Sequence, residues 1–235
     1  MRKEVLILGL ILVVVVVGGF AAASYYRSSV QQESVVAPSN QTGAANSGKP
    51  KVAPEVLVRP DSPVLGPADA KITLVEFYDP ECESCAAFAP VVKKIMKGYD
   101  GKIRLVARYM PLHPNSMTAA TFTEAAGEQG KYWQAQDLLF VKQPEWGTKH
   151  GGTPDPKAPS INQLFDKYAQ ELGLDMTKAG KAIEERRYDA KIKRDQADGQ
   201  TLGVRRTPTF FVNGRELARF GEADLRALID EELKK

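Results

Sequence analysis

One short segment, residues 74–90 with the sequence LVEFYDPECESCAAFAP, constrains the fold of this chain more than any other. It contains both cysteines of the 235-residue chain, Cys82 and Cys85, with two residues between them. The residues Ile72–Tyr78 form a short, nearly continuous run of β-branched and aromatic side chains, which is typical of a buried strand. Glu76 interrupts that run, so the sequence places an ionisable carboxyl inside a strand that is predicted to be buried.

A helix is predicted to follow this strand, from about Cys82 to Tyr99. Its apolar residues recur at spacings of three and four, which places them on one helix face, and Pro90 is expected to kink it. Residues 103–109 alternate in the manner of a second strand, which ends before Pro111. Strand, helix and strand in this order make a βαβ unit, in which the two strands run parallel and are joined by a right-handed crossover.

The rest of the domain completes an α/β pattern with a helical insertion. Residues 114–203 carry helical periodicity, interrupted by a loop rich in glycine and proline. Residues 209–212 and 215–220, joined by Asn-Gly at positions 213–214, are predicted to form a hairpin with a type I′ turn. An amphipathic helix closes the chain, and we also expect a short edge strand at Val56–Val58.

The N-terminal region is predicted to lie at a membrane. Residues 5–23 are apolar and uncharged, and as a helix they would extend roughly 28 Å, close to the hydrocarbon thickness of a bilayer. Arg2 and Lys3, within residues 1–4, would keep that end in the cytoplasm and direct the rest of the chain to the periplasm. We favour an uncleaved anchor, and the alternative is a signal sequence cleaved after the small residues 21–23.

Residues 24–55 are rich in Ser, Gln, Asn, Gly, Ala and Pro, and cannot bury enough apolar surface to offset the entropy of ordering. We predict a flexible linker there, followed by a folded domain at residues 56–235. The net charge of +3 is small, and no basic stripe carries interleaved aromatic residues, so nucleic acid is not an expected partner. Two cysteines cannot build a framework of several disulfides.

The cysteines could instead belong to a metal site. With His113 and His150 they would supply two Cys and two His, but the spacing fits no common zinc pattern. We therefore interpret both histidines as ordinary loop residues. A thiol pair can still bind Cu(I), which prefers soft ligands, so a copper-handling role stays open.

The order of elements, with Cys-x-x-Cys at a strand-to-helix junction, resembles the thioredoxin fold, and the helical insertion resembles its DsbA-like branch. Glu76 stands where these proteins carry a buried acid, Pro90 matches the proline that kinks the active-site helix, and Thr207-Pro208 matches the cis-proline loop. The resemblance covers about residues 56–235. It implies a thioredoxin-like α/β fold with an inserted all-helical subdomain, and a protein thiol–disulfide oxidoreductase without a bound cofactor or metal.

Physical chemistry indicates the role of each residue. Cys82, at a helix N-terminus that favours negative charge, should have a pKa below the usual value near 8.5 and act as the exchanging sulfur. Cys85, one turn further in, should be more buried and resolve the mixed disulfide. Glu76 beneath it would relay the proton, its pKa raised by burial. With the cis bond that the resemblance implies at Pro208, Thr207 and Pro208 would shape the substrate site, where a peptide pairs as an added strand.

The residues between the cysteines depart from the proline and histidine of the familiar DsbA oxidants. Here they are Glu83 and Ser84. Glu81 and Glu83 would repel a thiolate, whereas Arg205 and Arg206 near the cis-proline loop could attract it, and we include Arg206 among the substrate-binding residues. Since exposed charges are screened, we predict a couple that is less oxidising than the strongest oxidants of the family.

The resemblance also implies the partners. Exported cysteine-containing proteins would be the substrates, a membrane protein would reset the cysteine pair, and residues 5–23 would hold the chain in the inner membrane. We expect a monomer, because no segment for a dimerisation domain is visible. The direction of electron flow stays open, and the alternative function is a non-catalytic module on the same fold, either a copper-handling protein or a chaperone.

Overall fold

The computed structural model describes residues 51–148 and 158–235, in which strands and helices alternate at both ends around a helical middle. In chain order the elements of these ranges are α1 (Pro54–Leu57), β1 (Val64–Leu65), β2 (Ile72–Tyr78), α2 (Glu83–Gly98), β3 (Ile103–Tyr109), α3 (Ser116–Gly127), α4 (Tyr132–Trp146), α5 (Ile161–Glu171), α6 (Met176–Glu184), α7 (Asp189–Thr201), β4 (Thr209–Val212), β5 (Arg215–Glu216) and α8 (Glu222–Leu233). The predicted membrane segment 5–23, most of the predicted linker and His150 lie outside the described residues. Within those residues, no helix has both the length and the apolar character needed to cross a bilayer.

The strands form one sheet in the order β1-β3-β2-β4-β5. β2 and β3 are parallel, in register from Ile72 opposite Ile103 to Tyr78 opposite Tyr109, which confirms the predicted βαβ unit. β4 pairs with β2, and β1 with β3, in antiparallel fashion. Both central strands are buried along nearly their whole length, as expected of strands whose two faces are covered.

Alternate residues of β2 point to opposite faces of the sheet, and each face carries its own apolar cluster. On one face Leu74 packs with residues of α2 and α8, including Phe88 and Ile229. On the other face Val75 and Phe77 pack with residues of β3, β4 and α1. The sheet therefore lies in the middle of the domain, with α2 and the two cysteines at its N-terminal end on the Leu74 face.

The helices α3–α7 form the predicted insertion, and α7 lies directly against the second face of the sheet. A β-carbon at Gly199 of α7 would come within 3.1 Å of the Phe77 ring and 3.0 Å of the Met110 sulfur. A larger side chain would push the helix away from the sheet. Helices α3, α4 and α5 of the insertion enclose a separate apolar cluster that includes Phe122 and Phe165.

The expectation of an edge strand at Val56–Val58 is wrong. Residues 54–57 form the short helix α1, since Pro54 stands at its first position, where the fixed φ of proline suits a helix. The buried side chain of Leu57 then packs against the sheet. The edge strand is instead Val64–Leu65, which pairs with β3.

Two further boundaries differ from expectation. Residues 51–55, predicted to be linker, contact the domain, because the N–H of Val52 donates to the Gly214 carbonyl at 2.9 Å. In the hairpin, Asn213 and Gly214 have φ values of 46° and 86°, as the predicted type I′ turn requires. The second strand ends at Glu216 rather than at Phe220.

A buried ion network joins β3 to α7 and to the chain before β1. The side chain of Arg108 is fully buried, and its guanidinium donates to the Leu57 carbonyl at 2.7 Å and to the Asp198 carboxylate at 2.5 Å. Its Nε lies 3.0 Å from the buried Asp195 carboxylate. Arg59 donates two further hydrogen bonds to Asp198. Through one guanidinium, the network links the segment before β1, the sheet and the helical insertion.

Replacing Arg108 with Met should lower the free energy of unfolding by about 3–5 kcal/mol, because the buried Asp195 carboxylate loses its buried cation and keeps only the N–H of Tyr109 and the partly exposed Arg194. The double variant Arg108→Met/Asp195→Leu should be more stable than Arg108→Met alone, since it removes both charges. Urea unfolding of the full-length chain measures both changes. Lys93→Met is the control: its ion pair with Asp137 is exposed, so the change should stay within about 0.5 kcal/mol. Equal losses in the single and double variants would contradict this view of the network.

Candidate active site

Cys82 and Cys85 lie where β2 gives way to α2. Cys82 is the N-cap of α2, and Cys85 stands in its first turn. Both are free thiols. Cys82 keeps 7% of its surface exposed and Cys85 keeps none, so only the first cysteine is open to attack from solvent.

The loop before β4 lies against the first cysteine. The Thr207-Pro208 peptide bond is cis, and the Cys82 thiol donates to the carbonyl oxygen of Thr207 at 3.4 Å. Because β4 begins directly after Pro208 and pairs with β2, the sheet itself holds this loop beside the cysteines. Arg206 is exposed next to it, and its carbonyl accepts a hydrogen bond from the Thr209 hydroxyl at 2.8 Å.

Hydrogen bonds to sulfur lower the pKa of Cys82 to about 5, from an ordinary value of 9.0. The Cys85 side chain contributes most, and burial acts in the opposite direction. The Thr207 side chain and the backbone N–H groups of Cys85 and Ser84 add to the lowering. Unpaired N–H groups of this kind are a property of a helix N-terminus. Cys82 is therefore a thiolate at neutral pH in the reduced protein.

Cys85 shows the opposite behaviour. Burial raises its pKa most, and the hydrogen bond with Cys82 and the charges of Glu76 and Cys82 raise it further. A backbone hydrogen bond from Asp79 acts in the lowering direction but does not offset these effects. Cys85 thus stays a thiol under conditions in which Cys82 is ionised.

Glu76 lies on the same face of β2 as Tyr78, which belongs to one apolar cluster with both cysteines. Its neighbours across the sheet are Ala107 on β3 and Phe210 on β4. The carboxyl is buried, and the described residues offer it no hydrogen bond. Burial, followed by the charge of Cys82, raises its pKa to about 8. Glu76 therefore holds its proton at neutral pH, and close to this value it can release or accept one.

A second buried carboxylate, Asp79, ties the turn before the cysteines to the loop after β3. It accepts hydrogen bonds from the N–H of Leu112 at 2.6 Å, from Nδ1 of His113 at 2.7 Å and from the hydroxyl of Ser116 at 2.5 Å. Its backbone carbonyl accepts from the N–H of Cys82 at 3.1 Å. In the sequence, Asp79 indicates only the end of a strand, and the three partners named first, Leu112, His113 and Ser116, lie more than thirty positions away.

Glu81 is also buried, contrary to the expectation of an exposed charge that repels the thiolate. It is 4% exposed, and its carboxylate accepts from the backbone and side chain of Asn115 at 2.6 and 2.9 Å. The N–H and hydroxyl of Thr148 donate to the same carboxylate at 2.7 and 2.6 Å. Glu83 is exposed, and together with His113 it lines a cleft of about 350 Å³ beside the cysteine turn.

The structure brings five of the predicted site residues together: Cys82, Cys85, Glu76, Thr207 and Pro208. Arg206 stands at the edge of this group. His113 is a loop residue as predicted, but Asp79 fixes its imidazole, which the sequence did not indicate. Among the described residues, no three or more His, Cys, Asp or Glu side chains are grouped so as to hold a metal ion.

Comparison with known proteins gives the same architecture. Residues 59–231 match the family described as Thioredoxin. A thioredoxin-like oxidoreductase from Silicibacter pomeroyi DSS-3 is 27% identical, the match covering 78% of this chain and 99% of that one, with a TM-score of 0.64. The α-DsbA1 protein of Wolbachia pipientis is 21% identical over 76% of this chain and 94% of its own, also with a TM-score of 0.64, which is a likeness of fold.

Among curated sequences, the Na(+)/H(+) antiporter NhaA of Herminiimonas arsenicoxydans is 33% identical over 179 residues, which are 74% of this chain and 26% of that protein. This chain spans about a quarter of the length of the curated relatives that it matches, so the transport in their name is not carried over to it. The family match and the strand order identify both family and fold: this chain belongs to the thioredoxin family and has the fold of the DsbA-like thiol–disulfide oxidoreductases.

Proposed function

We propose that this protein exchanges disulfides with cysteine-containing proteins through its Cys82-Glu83-Ser84-Cys85 couple. One observation carries the proposal: two sulfurs one helical turn apart have opposite acidities, with a pKa of about 5 at Cys82 and a raised pKa at Cys85. Exchange requires one sulfur that ionises and a second that waits as a thiol. The family match and the structural similarity to a thioredoxin-like oxidoreductase agree with this kind of enzyme.

In the oxidising direction, a substrate thiolate attacks Sγ of Cys82 in the Cys82–Cys85 disulfide. The S–S bond breaks, and Cys85 leaves and takes a proton from the carboxyl of Glu76. A second substrate thiolate then attacks the substrate sulfur of the mixed disulfide, and Cys82 leaves as a thiolate. The substrate loses two electrons, which the protein's cysteine pair gains. The low pKa of Cys82 favours its departure in the last step.

In the reducing direction the same groups work in reverse. The Cys82 thiolate attacks a substrate disulfide, and Cys85 must lose its proton before it can attack the mixed disulfide. Glu76, in its carboxylate form, accepts that proton. A pKa near 8 allows Glu76 to occur in both forms close to neutral pH, so the geometry serves both directions of electron flow.

Substrate binding would use the loop before β4. The Thr207 carbonyl lies 3.4 Å from Sγ of Cys82, so a peptide that pairs with this backbone as an added strand brings its own cysteine to the reacting sulfur. Pro208 sets the direction of the loop, and the exposed Arg206 can contact side chains of the bound peptide.

We further propose that residues 5–23 anchor the protein in the inner membrane with its catalytic domain in the periplasm. A membrane redox partner would then reset the cysteine pair, and the protein would act as a monomer. The support for the anchor and its orientation is in the sequence: an apolar segment long enough to span a bilayer, preceded by Arg2 and Lys3.

Cys82→Ser should abolish both dithiol oxidation and insulin reduction, because no sulfur is left to form the mixed disulfide. Cys85→Ala should instead accumulate mixed disulfides with substrate, since the resolving sulfur is missing. Non-reducing gels and turnover assays on the purified chain distinguish the two outcomes. Ala87→Ser, an exposed change on the same helix, is the control and should retain activity. Full activity in Cys82→Ser would exclude the proposed exchange at this sulfur, whereas a wild-type chain without turnover in either assay would favour the non-catalytic alternative, a chaperone or a copper-handling module.

Glu76→Gln should slow the attack of Cys85 on the mixed disulfide by up to about a hundredfold, because the proton acceptor is lost. In the wild type this step should accelerate as pH rises and Glu76 loses its proton. Its midpoint should lie at or below about 8, since the Cys82 charge that raises the pKa is absent from the mixed disulfide. Single-turnover release of a thiol-labelled peptide measures the rate. A Gln variant with the wild-type pH profile would exclude the relay.

The same substitution should change stability with a defined sign. Glu76 has a pKa of about 8 in the folded state against 4.5 ordinarily, so unfolding releases its proton between these values and the native state loses stability as pH rises. The free energy of unfolding of Glu76→Gln minus that of the wild type should therefore increase by about 1.4 kcal/mol per pH unit in this range. Glu232→Gln is the opposite control, because hydrogen bonds from Lys235, Arg215 and Lys51 overcome the effect of burial and lower that pKa to about 2. A pH-independent difference for Glu76→Gln would contradict the burial effect.

A further inference from the structure

His113 and Asp79 form a hydrogen-bonded pair beside the cysteines that the exchange steps above do not use. We propose that protonated His113, held in place by Asp79, is a positioning residue that stabilises the thiolate of Cys82 and so favours the reduced form of the couple. The inference rests on the proposed thiol–disulfide exchange and assigns a regulator of its equilibrium.

Hydrogen bonds connect the imidazole to both cysteines through a single residue. Nδ1 of His113 lies 2.7 Å from the Asp79 carboxylate. The backbone carbonyl of Asp79 accepts from the N–H of Cys82 at 3.1 Å, and its backbone N–H reaches the sulfur of Cys85. Because Asp79 is fully buried, the position of the imidazole relative to the two sulfurs is fixed.

The imidazole is not needed to satisfy this carboxylate. Asp79 already accepts from the N–H groups of Glu81, Leu112 and His113 itself, and from the hydroxyl of Ser116. A carboxylate offers about four acceptor positions. The hydrogen bond from the His113 ring is therefore a fifth one to a carboxylate that already has four donors. A purely structural role does not explain why it is there.

His113 also borders a cleft that includes the residues on either side of Cys82. Its side chain is 30% exposed, and it lines the cleft of about 350 Å³ together with Glu83, the residue that follows Cys82. Of the described residues that line this cleft, His113 alone can carry a positive charge. A cation there acts on a surface that otherwise contributes the carboxylates of Glu81 and Glu83.

The groups that face His113 are Asp79, Glu81, Cys82 and Glu83, and no other described cation stands among them. Partial burial alone would lower the pKa of His113, but the hydrogen bond and charge of Asp79, followed by the charges of Cys82 and Glu81, raise it. Such coupling is reciprocal. If the thiolate favours the imidazolium, the imidazolium favours the thiolate by the same free energy.

The proton balance of reduction shows where this coupling acts. When two glutathione thiols reduce the Cys82–Cys85 disulfide, they become glutathione disulfide and release two protons, while the pair gains two electrons. Cys85 retains one proton as a thiol, and Cys82 remains a thiolate. The second proton goes to solvent or, where His113 is neutral, to its imidazole. Reduction should therefore raise the pKa of His113.

The first test uses the wild-type full-length chain, in which NMR follows the imidazole signal of His113 against pH in the oxidised and the reduced forms. The chain has two histidines, and His150→Asn assigns the signals. The pKa should be higher in the reduced form by about half a unit to one unit, the size of a partly screened charge pair. Equal values in the two forms would overturn the inference without any substitution that risks misfolding.

The second test replaces His113 with Asn, which keeps a donor near Nδ1 for Asp79 but cannot be charged. The pKa of Cys82, followed by thiolate ultraviolet absorbance, should rise by the same half unit to one unit, and the equilibrium with glutathione should shift about threefold to tenfold toward the disulfide. Tenfold corresponds to about 30 mV for a two-electron couple. An Asn variant with the wild-type pKa and equilibrium would overturn the inference, whereas a wild-type chain that fails to equilibrate with glutathione would overturn the proposed function instead.

Discussion

Two sulfurs one helical turn apart must be kept in different surroundings, and the rest of the active site depends on this difference. The N-terminus of α2 supplies N–H groups to Cys82, and β4, by pairing with β2, brings Thr207, whose side chain also lowers the pKa of Cys82, to the same sulfur. Cys85 is covered in another way, because its apolar cluster includes residues of the helical insertion such as Ala120 and Ile192. The insertion is thus part of the redox chemistry: it keeps the second sulfur dry and therefore protonated.

Glu76 and Arg108 are ionisable side chains buried on the two central strands, and the domain surrounds them in opposite ways. Arg108 is surrounded by carbonyls and carboxylates that pair its charge. Glu76 has no such partner among the described residues, and burial forces it to keep its proton. A group that only stabilised the fold would be expected to resemble Arg108, since an unsatisfied buried carboxyl costs free energy. The cost at Glu76 is understandable if the proton itself is what the site needs.

Local sequence patterns predicted the elements that depend on neighbouring residues. The strand Ile72–Tyr78 has the predicted bounds, because an apolar run and a terminating Asp-Pro are both visible in the chain. The strand expected at Val56–Val58 does not form, although its side chains favour β structure. Pro54 starts a helix instead, and Arg108 of β3 donates to the carbonyls of this segment. Long-range pairing decided this element, and one sequence does not reveal it.

The same limit explains what was missed in the active site. Cys82, Cys85 and Glu76 could be found because they lie within ten positions of one another on a strand and the following helix. Asp79 and His113 are joined by a hydrogen bond across 34 positions, and nothing in the spacing of either residue indicates it. Arg108 alternates with apolar residues as an exposed side chain would, and it is buried only because α7 places carboxylates against it.

The acidity of Cys82 also bears on how oxidising the couple is. A more stable thiolate favours the reduced form, and the reactive cysteines of thioredoxin and DsbA have pKa values of about 7 and 3.5. A pKa of about 5 at Cys82 lies between them, which supports a couple less oxidising than the strongest members of the family. The reason differs from the one expected from the sequence. Glu81 is bound to Asn115 and Thr148, and hydrogen bonds to sulfur, rather than the surface arginines, are what lower the pKa of Cys82. Since these hydrogen bonds act directly at the sulfur, the potential should depend less on ionic strength than a balance of surface charges alone would make it, and the dependence that remains should come from the partly exposed His113.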